Sequence, residues 1–201
     1  SGRWFNVMNF AGAVETVSVP ATTPGNLLFN AANSSALVRA QTNAYVEVNR
    51  ARDYVLVYNP AYPTLQNQNF PITVNRTDQL CPGNAWFSPT EVSLNFCQAG
   101  PSNPNTAWSS VAHHEYGHNL VQAAGSGQNE YGEGMGDVMS VLILDNSCLG
   151  LGFFNNCTQC LREVIRRGAA VAVAIARTRR LGADGCGEQS EGNDQEGAPH
   201  A

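Results

Sequence analysis

The chain has 201 residues, a net charge of −5 and an isoelectric point near 5.3. That length suits one domain with a real core, or one and a piece of a second. All 11 basic residues are arginine and only 13% of residues are charged, which excludes the basic footprint of a nucleic-acid-binding protein. The longest wholly apolar run, 169–176, is far too short to span a bilayer. The absence of lysine is read as a signature of genome composition, not of function.

Ser1 reads as the start of a processed or trimmed chain. Residues 1–35 alternate weakly between apolar and polar, with a strand expected at 14–19 and a turn at 20–25. From 37 to 58 the pattern becomes helical: Ala44, Val48, Ala51, Val55 and Tyr58 recur at three- and four-residue steps. Pro60 stops this helix, because proline disfavours the helical conformation in the residue before it. Residues 60–106 read as loops and short strands, with strands at 72–75 and 92–97 and Asn84, Ala85, Trp86 and Phe87 between them. A second helix is expected over 106–124, capped by Thr106 or Ser109 and ended by Gly125. A glycine-rich loop, 125–132, precedes a third helix over 133–146, with Met135, Val138, Met139, Leu142 and Ile143 on its apolar side.

Six cysteines, an even number, fit an oxidising compartment and disulfides. Cys81 and Cys97 bracket the second strand region and can staple it as a hairpin. Cys157 and Cys160 form a lone C-x-x-C, read as disulfide cysteines because a zinc ribbon needs a second such pair. Asn33, Asn75 and Asn156 each open an N-x-S/T tripeptide, a pattern common by chance.

The chemistry lies at 114–137. His114, Glu115 and His118 fit H-E-x-x-H on an expected helix, where residues four apart share a face. Both imidazoles can reach one metal ion, and Glu115, a quarter turn away, can take a proton from a zinc-activated water. A catalytic zinc then lacks one protein ligand. Glu130, Glu133 and Asp137 are the candidates. Glu133 with Asp137 one turn later supplies two roles, third ligand and acceptor for the free ring N–H of a ligating histidine; Glu130, with no carboxylate one turn on, is the fallback. The glycines around Glu133 would let the helices come close. His113 faces elsewhere and reads as an ordinary polar residue.

This constellation resembles the gluzincins, the thermolysin-like and fungalysin-like metallopeptidases. Tyr131 to Asp137, with Glu133-Gly134 and Asp137, is closest to the fungalysin side. Asn49 to Asp53 resembles an upstream helical motif of that group, with Arg52 in place of histidine; the bland reading of Arg50, Arg52 and Asp53 is a helical salt-bridge network. Asn84, Ala85 and Trp86 resemble the edge strand that pairs with bound peptide. The resemblance covers roughly residues 40–146. It implies an α+β, zincin-like fold: a small, mostly antiparallel sheet followed by the active-site helix and the third-ligand helix. It also implies a Zn2+-dependent endopeptidase with Glu115 as general base, His114, His118 and Glu133 as ligands, Asp137 behind them, and Asn84, Ala85 and Trp86 binding substrate. The expected partner is a peptide or protein, with no nucleic acid and no membrane, and a secreted monomer is expected.

Two departures set up a rival reading. The loop between His118 and Glu133 is short for the group, and the group's oxyanion-stabilising His or Tyr belongs to a helical domain after the third ligand. No such region is evident after 146, and His200 is the only later histidine. The alternative is therefore a catalytically incomplete zinc-binding fragment, or pseudo-peptidase, that binds peptide without cleaving it. The expected organisation is a metallopeptidase core over 1–160, with its N-terminal strands in 1–36, followed by a different segment over 161–201. Residues 161–181 hold six of the 11 arginines, and 182–201 are glycine-rich and acidic. This end reads as truncated or frameshifted, or alternatively as an amphipathic helix with a disordered tail.

Overall fold

A stripe of small side chains builds the first helix. The computed structural model describes residues 1–18, 28–78 and 80–164. In it α1 runs Ala36–Tyr58, its first turn capped by the Ser35 hydroxyl, which accepts the Val38 N–H. Ala40, Ala44, Val48 and Ala51 fall on one face and are all buried, so α1 lies close against the sheet. Asn59 ends it, donating to the Val55 carbonyl just before Pro60.

The sheet has four strands: β1 (Phe5–Asn9), β2 (Phe70–Arg76), β3 (Ala85–Ser88) and β4 (Ser93–Cys97), in the order β1-β2-β4-β3. β1 and β2 are parallel with Phe5 opposite Phe70, β2 and β4 are parallel, and β3 pairs antiparallel with β4, Ala85 opposite Phe96. The α+β class stands, but the expected mostly antiparallel sheet is corrected to a mixed one with two parallel pairings. The reason is the crossover: α1 carries the chain back across the sheet between β1 and β2, which makes those strands parallel. Within this four-stranded sheet the 85–97 hairpin is the antiparallel pairing, and Cys81–Cys97 staples it as expected. The strand expected at 14–19 is not formed over 14–18, and residue 19 lies outside the described residues. The N-terminal strand is instead β1, whose Phe5 and Val7 point into the core.

Phe5, Phe70 and Tyr116 meet edge to face, with ring centroids 5.8 to 6.3 Å apart. They join the sheet to α2 (Ser109–Ala123). This helix is buried on nearly every side, between the sheet, α1 and the next helix, which is why its apolar periodicity is weak. Its N-cap is Trp108 without a side-chain cap, not Thr106 or Ser109. The Thr106 hydroxyl instead accepts the Cys97 N–H. Gly125 closes the C-terminus at φ 71°, its N–H on the Gln122 carbonyl and the Ser126 N–H on the Val121 carbonyl, a Schellman arrangement that glycine favours.

Helix α3 is Asn129–Leu144, so it begins a turn earlier than expected and the connecting loop is shorter. Its buried face is Gly132, Gly136, Met139 and Ser140, whereas Val138 and Leu142, expected inside, are 38% and 43% exposed. A two-stranded ribbon follows, β5 (Cys148–Leu149) with β6 (Arg162–Glu163), closed by the Cys148–Cys160 disulfide. Cys157 and Cys160 are thus not paired with each other. The arginine-rich helix and tail expected after 160 lie, from residue 165 on, outside the described residues.

Replacing Cys81 and Cys97 together by alanine should lower stability by about 3 kcal/mol, the loop-closure expectation for a bridge of this span. Denaturant unfolding monitored by circular dichroism measures it; an unchanged midpoint would show that the hairpin needs no staple.

Candidate metal centre

Helix α2 presents His114 and His118 one turn apart, 7% and 8% exposed, with rings edge to face at 4.9 Å. Their Nε2 atoms are 3.2 Å apart. From α3, Glu133 brings one carboxylate oxygen to 3.3 Å from His114 Nε2 and the other to 3.5 Å from His118 Nε2. Ligands about 2.0–2.1 Å from a tetrahedral zinc stand about 3.3–3.4 Å from one another, and the two ring nitrogens and the Glu133 carboxylate stand near that spacing. Among the described residues, this His114, His118 and Glu133 group can hold a metal ion. Glu130 is outside it.

The tautomers point the same way. His114 Nδ1 faces Asp137 Oδ1 at 2.8 Å, and His118 Nδ1 faces Gln128 Oε1 at 2.9 Å. The Gln128 amide is oriented by its other end, where Nε2 donates to the His118 carbonyl at 3.0 Å. Each Nδ1 therefore carries the proton, and each Nε2 offers a lone pair. Two ring nitrogens and a carboxylate converge, an arrangement that a cation stabilises. Gln128 has no counterpart in the sequence reading, because it lies in the loop and no helical spacing ties it to His118.

Close packing of α2 on α3 makes this geometry possible. A Cβ added at Gly117 would lie 2.8 Å from Gly136 Cα; one at Gly136 would lie 2.7 Å from His114 Nδ1 and 2.9 Å from the His114 carbonyl. Gly132 abuts Gln128 and His118 in the same way, whereas Gly134 has open space and serves no such contact.

Glu115 is 6% exposed and beside the pair. Burial pushes its carboxyl up to about 7, assisted by the charge of Glu133 and opposed by His114 and by the Phe87 N–H that its carboxylate accepts. Burial pulls His114 down, but the Asp137 hydrogen bond and the charges of Glu115 and Asp137 carry it above the usual imidazole value. His118 is lowered, chiefly by burial. Arg162, from β6, is the residue that sequence reasoning missed most completely. Its guanidinium reaches Asp137 Oδ1 at 2.9 Å and Glu133 Oε2 at 3.3 Å, tying together two carboxylates one turn apart.

These residues line a cleft of about 420 Å³ whose opposite wall is β3. The Cys97 N–H donates to the Asn84 carbonyl. Alternation along an antiparallel pair then turns the backbone of Trp86 toward β4 and that of Ala85 and Phe87 toward the free edge. Of the three residues expected to bind substrate, Ala85 thus presents its backbone to the cleft. The Asn84 carbonyl is occupied by Cys97 and Thr106, and the Trp86 ring lies 5.0 Å from the Arg76 guanidinium. His113 is fully buried and bonded to Glu47 of α1 at 2.9 Å. Arg52 is buried too, donating to the Leu65 carbonyl and lying 3.8 Å over Trp4.

No protein-family model matches the sequence, and no curated protein matches it. Among solved structures, the chain is similar to the precursor of protealysin, a metalloproteinase from Serratia proteamaculans, with a TM-score of 0.53 and 14% identity. The match covers 74% of this chain and 48% of that one.

The fold is zincin-like. The zincin-like chain spans about half the length of the metalloproteinase precursor it matches.

Two substitutions test the geometry. Asp137→Asn should weaken zinc binding by about 10- to 100-fold, measured by calorimetric titration; unchanged affinity would remove Asp137 from the site. Gly136→Ala should cost about 1–3 kcal/mol of stability, because the new Cβ would meet both the His114 ring and the His114 carbonyl closer than 3 Å. Thermal unfolding of the metal-free protein measures this second effect.

Proposed function

We propose that this chain is the core of a zinc-dependent endopeptidase of the H-E-x-x-H gluzincin type, with His114, His118 and Glu133 as ligands and Glu115 as general base. The observation that carries this reading is the convergence of two Nε2 lone pairs and one carboxylate, 3.2 to 3.5 Å apart, beside a buried glutamate. When bound, zinc would supply Lewis acidity toward the scissile carbonyl and the attacking water. Asp137 and Gln128 hold the two rings by their Nδ1–H groups. Glu115, set against Phe87 at the edge strand, is placed to take a proton from the water and pass it to the leaving amine. The free backbone groups of Ala85 pair with an extended peptide, with Asn84 and Trp86 flanking it. Cleft walls exclude water from one side of the bond.

The two disulfides support an extracellular setting. Among the described residues no helix is long and apolar enough to cross a membrane. We take the protein to act on peptides as a monomer, with no nucleic-acid partner.

One observation favours the rival reading of a peptide-binding chain that does not cleave. Among the described residues lining the cleft there is no tyrosine, and no histidine besides His114 and His118. Zinc content and casein hydrolysis, measured on wild type and Glu115→Gln in parallel, separate the two. The peptidase reading expects one zinc in each protein and activity at least about 100-fold lower in the variant, the usual scale of general-base catalysis. Chelation should abolish wild-type activity, and added zinc should restore it. Zinc in both with cleavage in neither selects the non-cleaving reading; zinc in neither defeats the metal site.

A further inference from the structure

The three N-x-S/T tripeptides have different fates in the fold. Asn75 is fully buried in β2. Its amide nitrogen donates to Asn9 Oδ1 at 2.9 Å and to the Leu37 carbonyl at 3.0 Å, and its oxygen accepts from Asn105 at 2.7 Å. Both N–H groups are committed, and a sugar on that nitrogen would have to occupy the core. Asn33 is exposed, but Arg39 holds its oxygen at 2.6 Å, and the Ser35 hydroxyl is occupied capping α1.

Asn156 differs from both. It is exposed on the loop that joins β5 to β6 inside the Cys148–Cys160 ring. Its side-chain oxygen accepts the Thr158 backbone N–H at 3.1 Å and the Thr158 hydroxyl at 2.8 Å. This Asx turn points the hydroxyl of the tripeptide's third residue at the acceptor amide. The Gln159 N–H closes the turn on the Asn156 carbonyl at 3.1 Å. Two residues earlier, Phe154 is 54% exposed. Its ring is positioned edge to face on Phe153, which in turn packs on Trp108. An aromatic ring held in place in solvent offers a flat, electron-rich face to the C–H groups of a sugar, which would remove that apolar surface from water.

We propose that Asn156 is an N-glycan acceptor, with the Phe154 ring as the platform for the first sugar, and that Asn75 stays unmodified. In the transfer, Asn156 Nδ2 attacks the anomeric carbon of a lipid-linked oligosaccharide diphosphate. The carbon–oxygen bond to phosphate breaks, the lipid diphosphate leaves, the nitrogen gives up one proton, and the nitrogen–carbon bond forms with no oxidation or reduction. The proposal rests on passage through a secretory compartment, which the disulfides support, and not on peptidase activity.

The test is to secrete the full chain from a yeast host and map its peptides by mass spectrometry before and after peptide-N-glycosidase treatment. The expected result is an Asn156 peptide that carries a glycan and is returned as aspartate by the enzyme, lost in Asn156→Gln, alongside an unmodified Asn75 peptide. Phe154→Ala should shrink the difference in melting temperature between the glycosylated and deglycosylated forms. Unmodified Asn156 in secreted, disulfide-bonded protein overturns the site, and a glycan on Asn75 in protein that binds zinc overturns the burial argument. An unchanged melting difference in Phe154→Ala overturns the platform role.

Discussion

Helices α2 and α3 touch backbone to backbone at Gly117 and Gly136, and the candidate site depends on that contact. Helix axes are ordinarily 8–10 Å apart because side chains stand between them. Here a missing Cβ on each side lets Glu133 reach two imidazoles that are themselves nearly buried. The same pair of helices is pinned further along, where the Ser140 hydroxyl donates to the Ser110 carbonyl at 2.5 Å. The Ser110 hydroxyl then accepts the Gly150 N–H, which ties the β5–β6 ribbon, and with it Arg162, to the same contact.

Charge explains why so polar a cluster is tolerated in a cleft. Glu115, Glu133 and Asp137 face one guanidinium, Arg162, among the described residues lining the cleft. Fully ionised, they leave an excess of negative charge that a divalent cation would balance. Burial raises the Glu115 carboxyl, and for His114 the Asp137 hydrogen bond and the neighbouring carboxylate charges outweigh the lowering by burial. Arg162 offsets part of the excess from a ribbon held by its own disulfide.

Much of this was legible in the residues because it is local. The i, i+4 spacing of His114 with His118, and of Glu133 with Asp137, sets which side chains share a helix face without reference to anything distant. The α1 stripe and its stop at Pro60 are equally local, as is the hairpin between Cys81 and Cys97. Failures occurred where distant segments compete. β1 is not legible locally, because its five residues alternate only weakly and its partner β2 lies more than sixty residues away. Without β1 the α1 crossover had no parallel strands to join, so the sheet read as antiparallel. The first turn of α3 ends on Gly132 and has no side-chain cap, and packing against α2 rather than propensity makes it helical.

By itself, then, the sequence determined the candidate metal-ligating residue types, their helical spacing and the stapled hairpin, since each follows from backbone periodicity or chain proximity. Only the tertiary structure decided that Gln128 orients His118, that Arg162 bridges Glu133 and Asp137, that Ala85 and Phe87 turn their backbone to the cleft, and that Asn75 is sealed in the core. Each of these depends on how segments far apart in the chain are brought to hydrogen-bonding distance, and no spacing within one segment encodes that distance.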